Sequence, residues 1–295
     1  MAANSWEGMA GIDMAPESWG ECVNLLLTSG GEETIYRGHR SFDWELHSTL
    51  ERALLERAGQ LDDRKIQVMQ SPVADTETET WANDVETSLT TYFRRNAMRF
   101  EVPLLPETWD TLGWWEVMQH HGAPTRLMDW TLSPFIAIWF ALNGHNDGEG
   151  DMALWIYDRR TAAQNHVGAE KRAKEISGDL RLDDRRLLNQ YIQFAIEDNN
   201  PALIAALPRP FPRAVAQQSV LTVSPSIAIA GSTHRWIRGR LATRIRLRQE
   251  WKPEMVTVCQ SMGLSRPRLF RDLDTLGQHV WSSFIRGENI TSEFL

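Results

Sequence analysis

The chain has 295 residues, of which 42% are hydrophobic and 24% charged. This supports a sizeable buried core and excludes a disordered chain. A net charge of −8 at pH 7 gives no global attraction to nucleic acid, so polyanion binding would need a local basic patch.

From the N-terminus, "MAANSWEGMAGIDMAPESWGE" has acidic residues and no basic region leading into an apolar core, which argues against a secretory leader. "PESWGECVNLLLTSGG" predicts a short helix capped by Ser18 and stopped by Gly30 or Gly31. "ETIYRGH" predicts a strand ending at Gly38, and "HSTLERALLERAG" a helix capped by Ser48 or Thr49 with Leu50, Leu54 and Leu55 on one face. Residues 60–80 are polar and aperiodic and read as a long loop. Trp81, Val85, Leu89, Tyr92, Phe93 and Phe100 recur at helical spacing. A further helix is expected over 108–121, with Gly122 as its stop. "TRLMDW" is strand-like, and Ser133-Pro134 opens a helix over 135–142 that is apolar on all sides and so buried.

"MALWIY" predicts a buried strand at 152–157, followed by polar helices near 161–177 and 183–198. Strand character returns at 219–223, and again in "ATRIRLRQ", where Ile245 and Leu247 alternate with outward arginines. Helices around 253–262 and 272–284 close the chain. One α+β domain over 30–285 is expected, behind an N-terminal helical extension (1–29) and ahead of a short tail (286–295). Thirteen tryptophans signal aromatic anchors in a core or cleft. Cys22 and Cys259 lie too far apart in sequence to suggest a disulfide framework. No uncharged run approaches the ~20 residues of a membrane helix. The chain reads as cytoplasmic, with no membrane partner.

The densest chemistry lies in "QHHGAPTRLMDWTLSPFIAIWFAL". Adjacent histidines on a helix point about 100° apart and lack the i, i+4 spacing that brings two imidazoles onto one metal, so no metal site is expected. G-x-S-x-G, P-loop and G-x-G-x-x-G signatures are missing, which removes the usual support for serine hydrolases, NTPases and Rossmann folds. In "IYRGH", Arg37 at the end of a strand is placed to grip a phosphate with a forked pair of hydrogen bonds, and Gly38 lets backbone approach a ligand closely. The alternative is a surface arginine in a turn.

Taken in order, "TIYRGHRSFDWELHSTLER", the "QHHGAPTRLMDW" stretch, "RAVAQQSVLTVSP" and "RLFRDLDTLGQHV" resemble the FRG domain, with Ser219 where that family usually has glycine. The FRG domain in turn is similar to ADP-ribosyltransferases of the Arg-Ser-Glu type. That resemblance implies split mixed or antiparallel sheets with flanking helices, and NAD as co-substrate. It implies that Tyr36, Arg37 and Gly38 hold NAD, and that Asp129, Trp130 and Thr131 stand where the family has Ser-Thr-Ser.

At the third motif Gln217 and Gln218 occupy the place of a glutamate. There the family's carboxylate binds the ribose 2′-hydroxyl and stabilises the positive charge that forms as nicotinamide leaves; a glutamine keeps the hydrogen bond and loses the charge. Either Asp129 supplies that carboxylate, or the site binds NAD without turnover. Asp129 is alternatively a partner of Arg126 or a turn cap, and Trp130 a core aromatic. His39, Arg40 and Trp44 line the adenosine side or serve structure. Gln119 and His121 precede the second strand near the site, and Thr125 and Arg126 contact phosphate or acceptor; a structural role is the alternative for each.

The resemblance implies a mono-ADP-ribosyltransferase acting in bacterial toxin–antitoxin or anti-phage conflict, with a neutralising protein partner. Acceptors for such enzymes are protein, RNA or DNA. The alternatives are an inactive NAD-, ADP-ribose- or RNA-binding module and an NAD glycohydrolase. The run "HRWIRGRLATRIRLRQEWK" interleaves arginine with tryptophan, and reads either as a nucleic-acid groove or as a solvated strand face.

Overall fold

The computed structural model describes residues 12–31, 34–61, 76–100, 105–143, 150–158, 185–197, 204–206, 208, 211–224, 226–227, 242–271, 275 and 278. Along the chain run β1 (Asp13–Met14), α1 (Trp19–Ser29), β2 (Thr34–His39), α2 (Thr49–Leu61), α3 (Thr76–Ala97), α4 (Thr111–His120), β3 (Leu127–Thr131) and α5 (Pro134–Leu142). They are followed by β4 (Met152–Asp158), α6 (Arg185–Glu197), β5 (Ile204–Ala206), α7 (Pro212–Ala216), β6 (Ser219–Val223), β7 (Ala242–Leu247), α8 (Lys252–Ser261) and α9 (Arg266–Phe270). This is the expected α+β class.

The strands form one seven-stranded mixed sheet in the order β1-β7-β4-β2-β3-β6-β5. Neighbours are antiparallel except β1 and β7. β2 pairs with β4 along its whole length, from Thr34↔Asp158 to His39↔Ala153. With β3 it shares a single register pair, Tyr36↔Thr131. The sheet is therefore two leaves, β1-β7-β4-β2 and β3-β6-β5, that part just beyond Tyr36.

Strand alternation sends side chains to two cores. Tyr36, Leu154, Ile156, Ile245 and Leu247 pack under α1, α5 and α8. Ile35, Met128, Trp130, Trp155 and Val220 pack on the other side with Phe42 and Leu46. α4 and α6 cover Leu127, Leu221 and Val223 in a third cluster. α5 has five buried residues, Ile136 to Trp139 and Ala141, as its all-round apolarity requires. Cys22 and Cys259 are free and buried in the first cluster. Burial pushes their thiols up to about 12 and about 11, so they stay protonated and inert at neutral pH.

Helix starts follow their capping chemistry. Ser18 Oγ accepts the Glu21 N–H at 3.2 Å and opens α1, which Gly30 ends. Ser48 Oγ accepts from the Glu51 N–H at 3.2 Å while the Glu51 carboxylate accepts from the Ser48 N–H at 2.5 Å, a capping box that opens α2. Ser133 Oγ accepts the Ile136 N–H and Pro134 takes the first turn of α5.

Four expectations need correction. α3 begins at Thr76, inside the stretch read as loop. Its first turn is polar and carries Glu77 and Glu79, which suit a helix N-terminus but leave no apolar period to detect. On the same segment Tyr92 and Phe100 are exposed rather than on the buried face. The 1–29 segment is not only helical, because Asp13 and Met14 join the sheet beside Arg244 and Ile245. Arg244 does not face outward: it is buried, pairs with Asp13 and lies 3.9 Å over the Phe42 ring. The helices expected at 161–177 and 272–284 fall outside the described residues, apart from positions 275 and 278 in the latter. Among the described residues, no helix is long and apolar enough to cross a membrane.

Candidate functional site

Gly38 fixes the site's geometry, for a reason other than ligand approach. α5 crosses β2 so closely that a Cβ on Gly38 would sit 1.8 Å from the Ala137 carbonyl oxygen and 2.8 Å from the Ala141 nitrogen. The missing side chain is filled by helix backbone. Where β2 and β3 then part, a cleft of about 720 Å³ opens, with Arg37 and Asp129 both on its walls.

Arg37 is locked at one end. Its Nε–H donates to His39 Nε2 at 3.1 Å and its Nη1 to the Asp129 carbonyl oxygen at 2.5 Å, standing in for a ladder bond that the parted strands do not make. Nη2 has no hydrogen-bond partner among the described residues. Burial draws the guanidinium down to about 10, helped by Arg52 and opposed by Asp129, so it remains a cation at neutral pH.

Two groups that can only donate face the His39 ring, the Arg37 Nε–H at 3.1 Å from Nε2 and the Trp155 indole N–H at 3.2 Å from Nδ1, with the Trp44 carbonyl oxygen 3.4 Å from Nδ1. An imidazolium would turn an N–H toward each of these donors, so the contacts favour a neutral ring, which accepts from one of the two according to its tautomer. Burial, with the neighbouring Arg37 next, holds His39 well below its ordinary value of 6.5. A folded-state value below the unfolded one gives stability that is present above pH 6.5 and lost as pH falls. Denaturant midpoints measured at pH 7.5 and 5.5 should therefore drop on the acid side for the natural chain, and drop less for His39→Gln. Equal drops for the two proteins would show that the fold does not lower the proton affinity of His39.

Asp129 is exposed to the cleft. Its Oδ2 accepts from Gln119 Nε2 at 2.6 Å, and Gln119 Oε1 accepts from Thr125 Oγ1 at 2.8 Å. Thr125 is itself tied to Thr49 at the start of α2, its N–H donating to Thr49 Oγ1 at 2.9 Å. Gln119 and Thr125 thus brace the carboxylate from behind rather than touch a ligand. Thr131 lines the cleft, with its Oγ1 accepting the Ser133 N–H at 3.1 Å.

Gln217, at the end of α7, also lines the cleft; it is 7% exposed, and its Nε2 is buried without a partner among the described residues. Gln218 adopts φ +47 and is exposed. Its carbonyl accepts the Leu132 N–H at 3.0 Å, pinning this turn to the β3–α5 junction, and it is not a lining residue. At the rim, Trp44 is 44% exposed with the Arg40 guanidinium 4.9 Å over its ring.

Besides Gln218 and Thr125, the predicted residues Arg126 and His121 lie off the cleft lining, and Trp130, though on the lining, is 2% exposed. Arg126 is fully buried; its Nε donates to Glu86 at 2.8 Å, its Nη1 to the Ser224 carbonyl at 3.0 Å, and its guanidinium lies 5.2 Å over Trp115. It braces the interior and pairs with Glu86, not Asp129. Trp130 has its indole in the core, donating to Thr222 Oγ1 at 2.8 Å. His121 is exposed against His120 and lies off the lining. Tyr36 lines the cleft but is 3% exposed, its ring in the first core.

Sequence reasoning missed Arg52, His47, Asp43, Glu45 and Arg213, all on the cleft wall. Arg52 lies in "HSTLER", a run read for its leucines, and the four-residue step from Ser48 was the available signal. Among the described residues no group of three or more metal-ligating side chains is found. In the basic run, Arg244, Arg246 and Arg248 pair with Asp13, Asp151 and Glu250, so these three are committed within the fold; residues 234–241 lie outside the described residues.

Together these features define an α+β protein with a cleft lined by both arginines and carboxylates at the parting of a two-leaved sheet. Residues 32–150 match the FRG domain family, a span that runs from β2 through α5 and carries both the Arg37 and Asp129 walls but not α7 or β6. No curated protein and no solved structure matches the chain.

Proposed function

We propose that the cleft binds NAD and that the protein is an NAD-dependent mono-ADP-ribosyltransferase. The observation that carries this is the placing of the Arg37 guanidinium and the Asp129 carboxylate on the walls of one cleft of about 720 Å³, within the usual range for small-molecule sites. Several features fit a dinucleotide. Arg37 keeps unpartnered donors for a phosphate, Trp44 offers an exposed aromatic ring beside Arg40 for a base, and Gln217, a lining residue, has a buried amide donor without a partner among the described residues. The parting of the sheet after Tyr36 is consistent with an ADP-ribosyltransferase-like fold.

NAD would supply the ADP-ribosyl group and nicotinamide as leaving group. Arg37 would hold phosphate, and Asp129, oriented by Gln119, would present the negative charge that Gln217 lacks. The acceptor class is nucleic acid or protein, and the resemblance to FRG-type effectors favours a toxin or anti-phage role with a neutralising protein partner. Labelled NAD, incubated with separate pools of RNA, DNA and cell protein, should mark one pool. Arg37→Ala should weaken NAD binding about tenfold to a hundredfold, the worth of hydrogen bonds to a charged group. No NAD consumption by the natural chain, with Arg37→Ala indistinguishable from it, would remove the proposal. The neutral amide at Gln217 favours a second reading, an NAD-binding module without turnover, which tight NAD binding with no nicotinamide release would select. Release to water alone would identify a glycohydrolase.

A further inference from the structure

Carboxylate pairing divides the arginines of this protein into two groups. In the interior, Arg126 meets Glu86, Arg185 meets Glu116 and Asp110, and Arg244 meets Asp13. Four guanidiniums on the cleft wall have no such partner among the described residues; Arg40 stacks on Trp44 and Arg213 on Phe270, which leaves Arg37 and Arg52. Arg37 is held by His39 and a backbone carbonyl. Arg52, in the first turn of α2, donates to the His47 carbonyl at 3.3 Å. Both line the same cleft. Burial lowers the proton affinity of both; Arg52 lowers that of Arg37 further while Asp129 raises it, and Glu51 raises that of Arg52. Each cation thus has a carboxylate in electrostatic reach but no ion pair to one among the described residues. Like charges held together in a half-enclosed cavity repel, and an anion between them removes that repulsion.

We propose that Arg37 and Arg52 form a two-guanidinium subsite for a phosphate ester, in which Arg52 is a ligand-binding residue in its own right. The two forks come from different elements, a strand and a helix, and so approach from different directions. A tetrahedral phosphate or a pyrophosphate presents oxygens in several directions, whereas the two oxygens of a carboxylate lie in one plane. The inference rests on the dinucleotide reading of the cleft only for which molecule carries the phosphate: NAD itself, or the backbone of a nucleic-acid acceptor.

The test uses the full chain, with isothermal titration of ADP-ribose, inorganic pyrophosphate, a short single-stranded RNA, and adenosine as the phosphate-free control. Arg52→Ala should weaken at least one phosphate-bearing ligand about tenfold or more and leave any adenosine binding unchanged. Arg52→Lys, which keeps the charge and loses the fork, should fall between. Thermal midpoints of both variants should stay near that of the natural chain, since Arg52 is exposed. A loss on ADP-ribose assigns the phosphate to the dinucleotide, and a loss on RNA assigns it to the acceptor. Unchanged affinity for every phosphate ligand overturns the subsite. So does an equal loss on adenosine, which would make Arg52 a shaper of the cleft. If Arg52→Ala consumes NAD normally and binds every phosphate ligand as the natural chain does, the subsite fails and the transferase reading stands. If pyrophosphate binds through Arg52 but NAD is neither bound nor consumed, the subsite stands and the transferase reading fails.

Discussion

Gly38→Ala is expected to yield little or no folded protein. The added Cβ would lie 1.8 Å from the Ala137 carbonyl oxygen and 2.8 Å from both the Ala137 carbonyl carbon and the Ala141 nitrogen. All three are backbone atoms of α5, so no side-chain rotation relieves the overlap. The helix would have to lift off β2, opening the core that holds Tyr36, Ile138 and Leu154. A loss of roughly 4 kcal/mol or more follows, a large share of the stability of an ordinary domain. Gly122→Ala is the matched control: its φ is +80 with nothing within 4 Å of a Cβ, so only backbone strain of about 1–2 kcal/mol applies. Chemical denaturation of the two variants should separate them clearly. A Gly38→Ala protein as stable as Gly122→Ala would mean that α5 does not cross β2 at this distance.

Glu86→Ala is expected to cost about 3–5 kcal/mol, because it strands the buried Arg126 guanidinium without its counter-charge. The carboxylate accepts from Arg126 Nε at 2.8 and 3.0 Å through its two oxygens, and Arg126 also holds the Ser224 carbonyl at the end of β6. The pair therefore ties α3 to the β3-β6 leaf. Replacing both partners, Glu86→Leu with Arg126→Met, should cost much less than either single change, since the penalty belongs to the unpaired charge rather than to the missing bond. Denaturant titration of the two single variants and the double variant measures this. Additive losses would show the two residues to be independent.

The elements that build the cleft were the legible ones. β2 and β6 fall where β-branched and aromatic runs placed them, and α5 begins at the Ser133-Pro134 signal, because capping and strand chemistry are local. What escaped depended on distant partners. Asp13 and Met14 form a strand only because β7 offers an edge, and nothing in "IDMA" shows that. Arg244 was read outward from its alternation, yet Asp13 neutralises it and Phe42 stacks on it, contacts more than 200 residues apart in sequence. Arg126 was left between a ligand contact and a structural role for the same reason: its partner Glu86 sits on α3, invisible to a motif. Within the site, Arg37 and Asp129 were readable from motifs on two strands, whereas Arg52 and Arg213 reach the cleft from helices whose orientation the tertiary fold decides.

Among the described residues, one rung, Tyr36↔Thr131, joins the leaves of the sheet, and beyond it the Arg37 side chain does the joining. A molecule gripped by Arg37 on one leaf and Gln217 at the other would act as a rivet. Its arrival would stiffen strands that it never touches, and the mechanical strength of the whole sheet would then depend on what fills the gap.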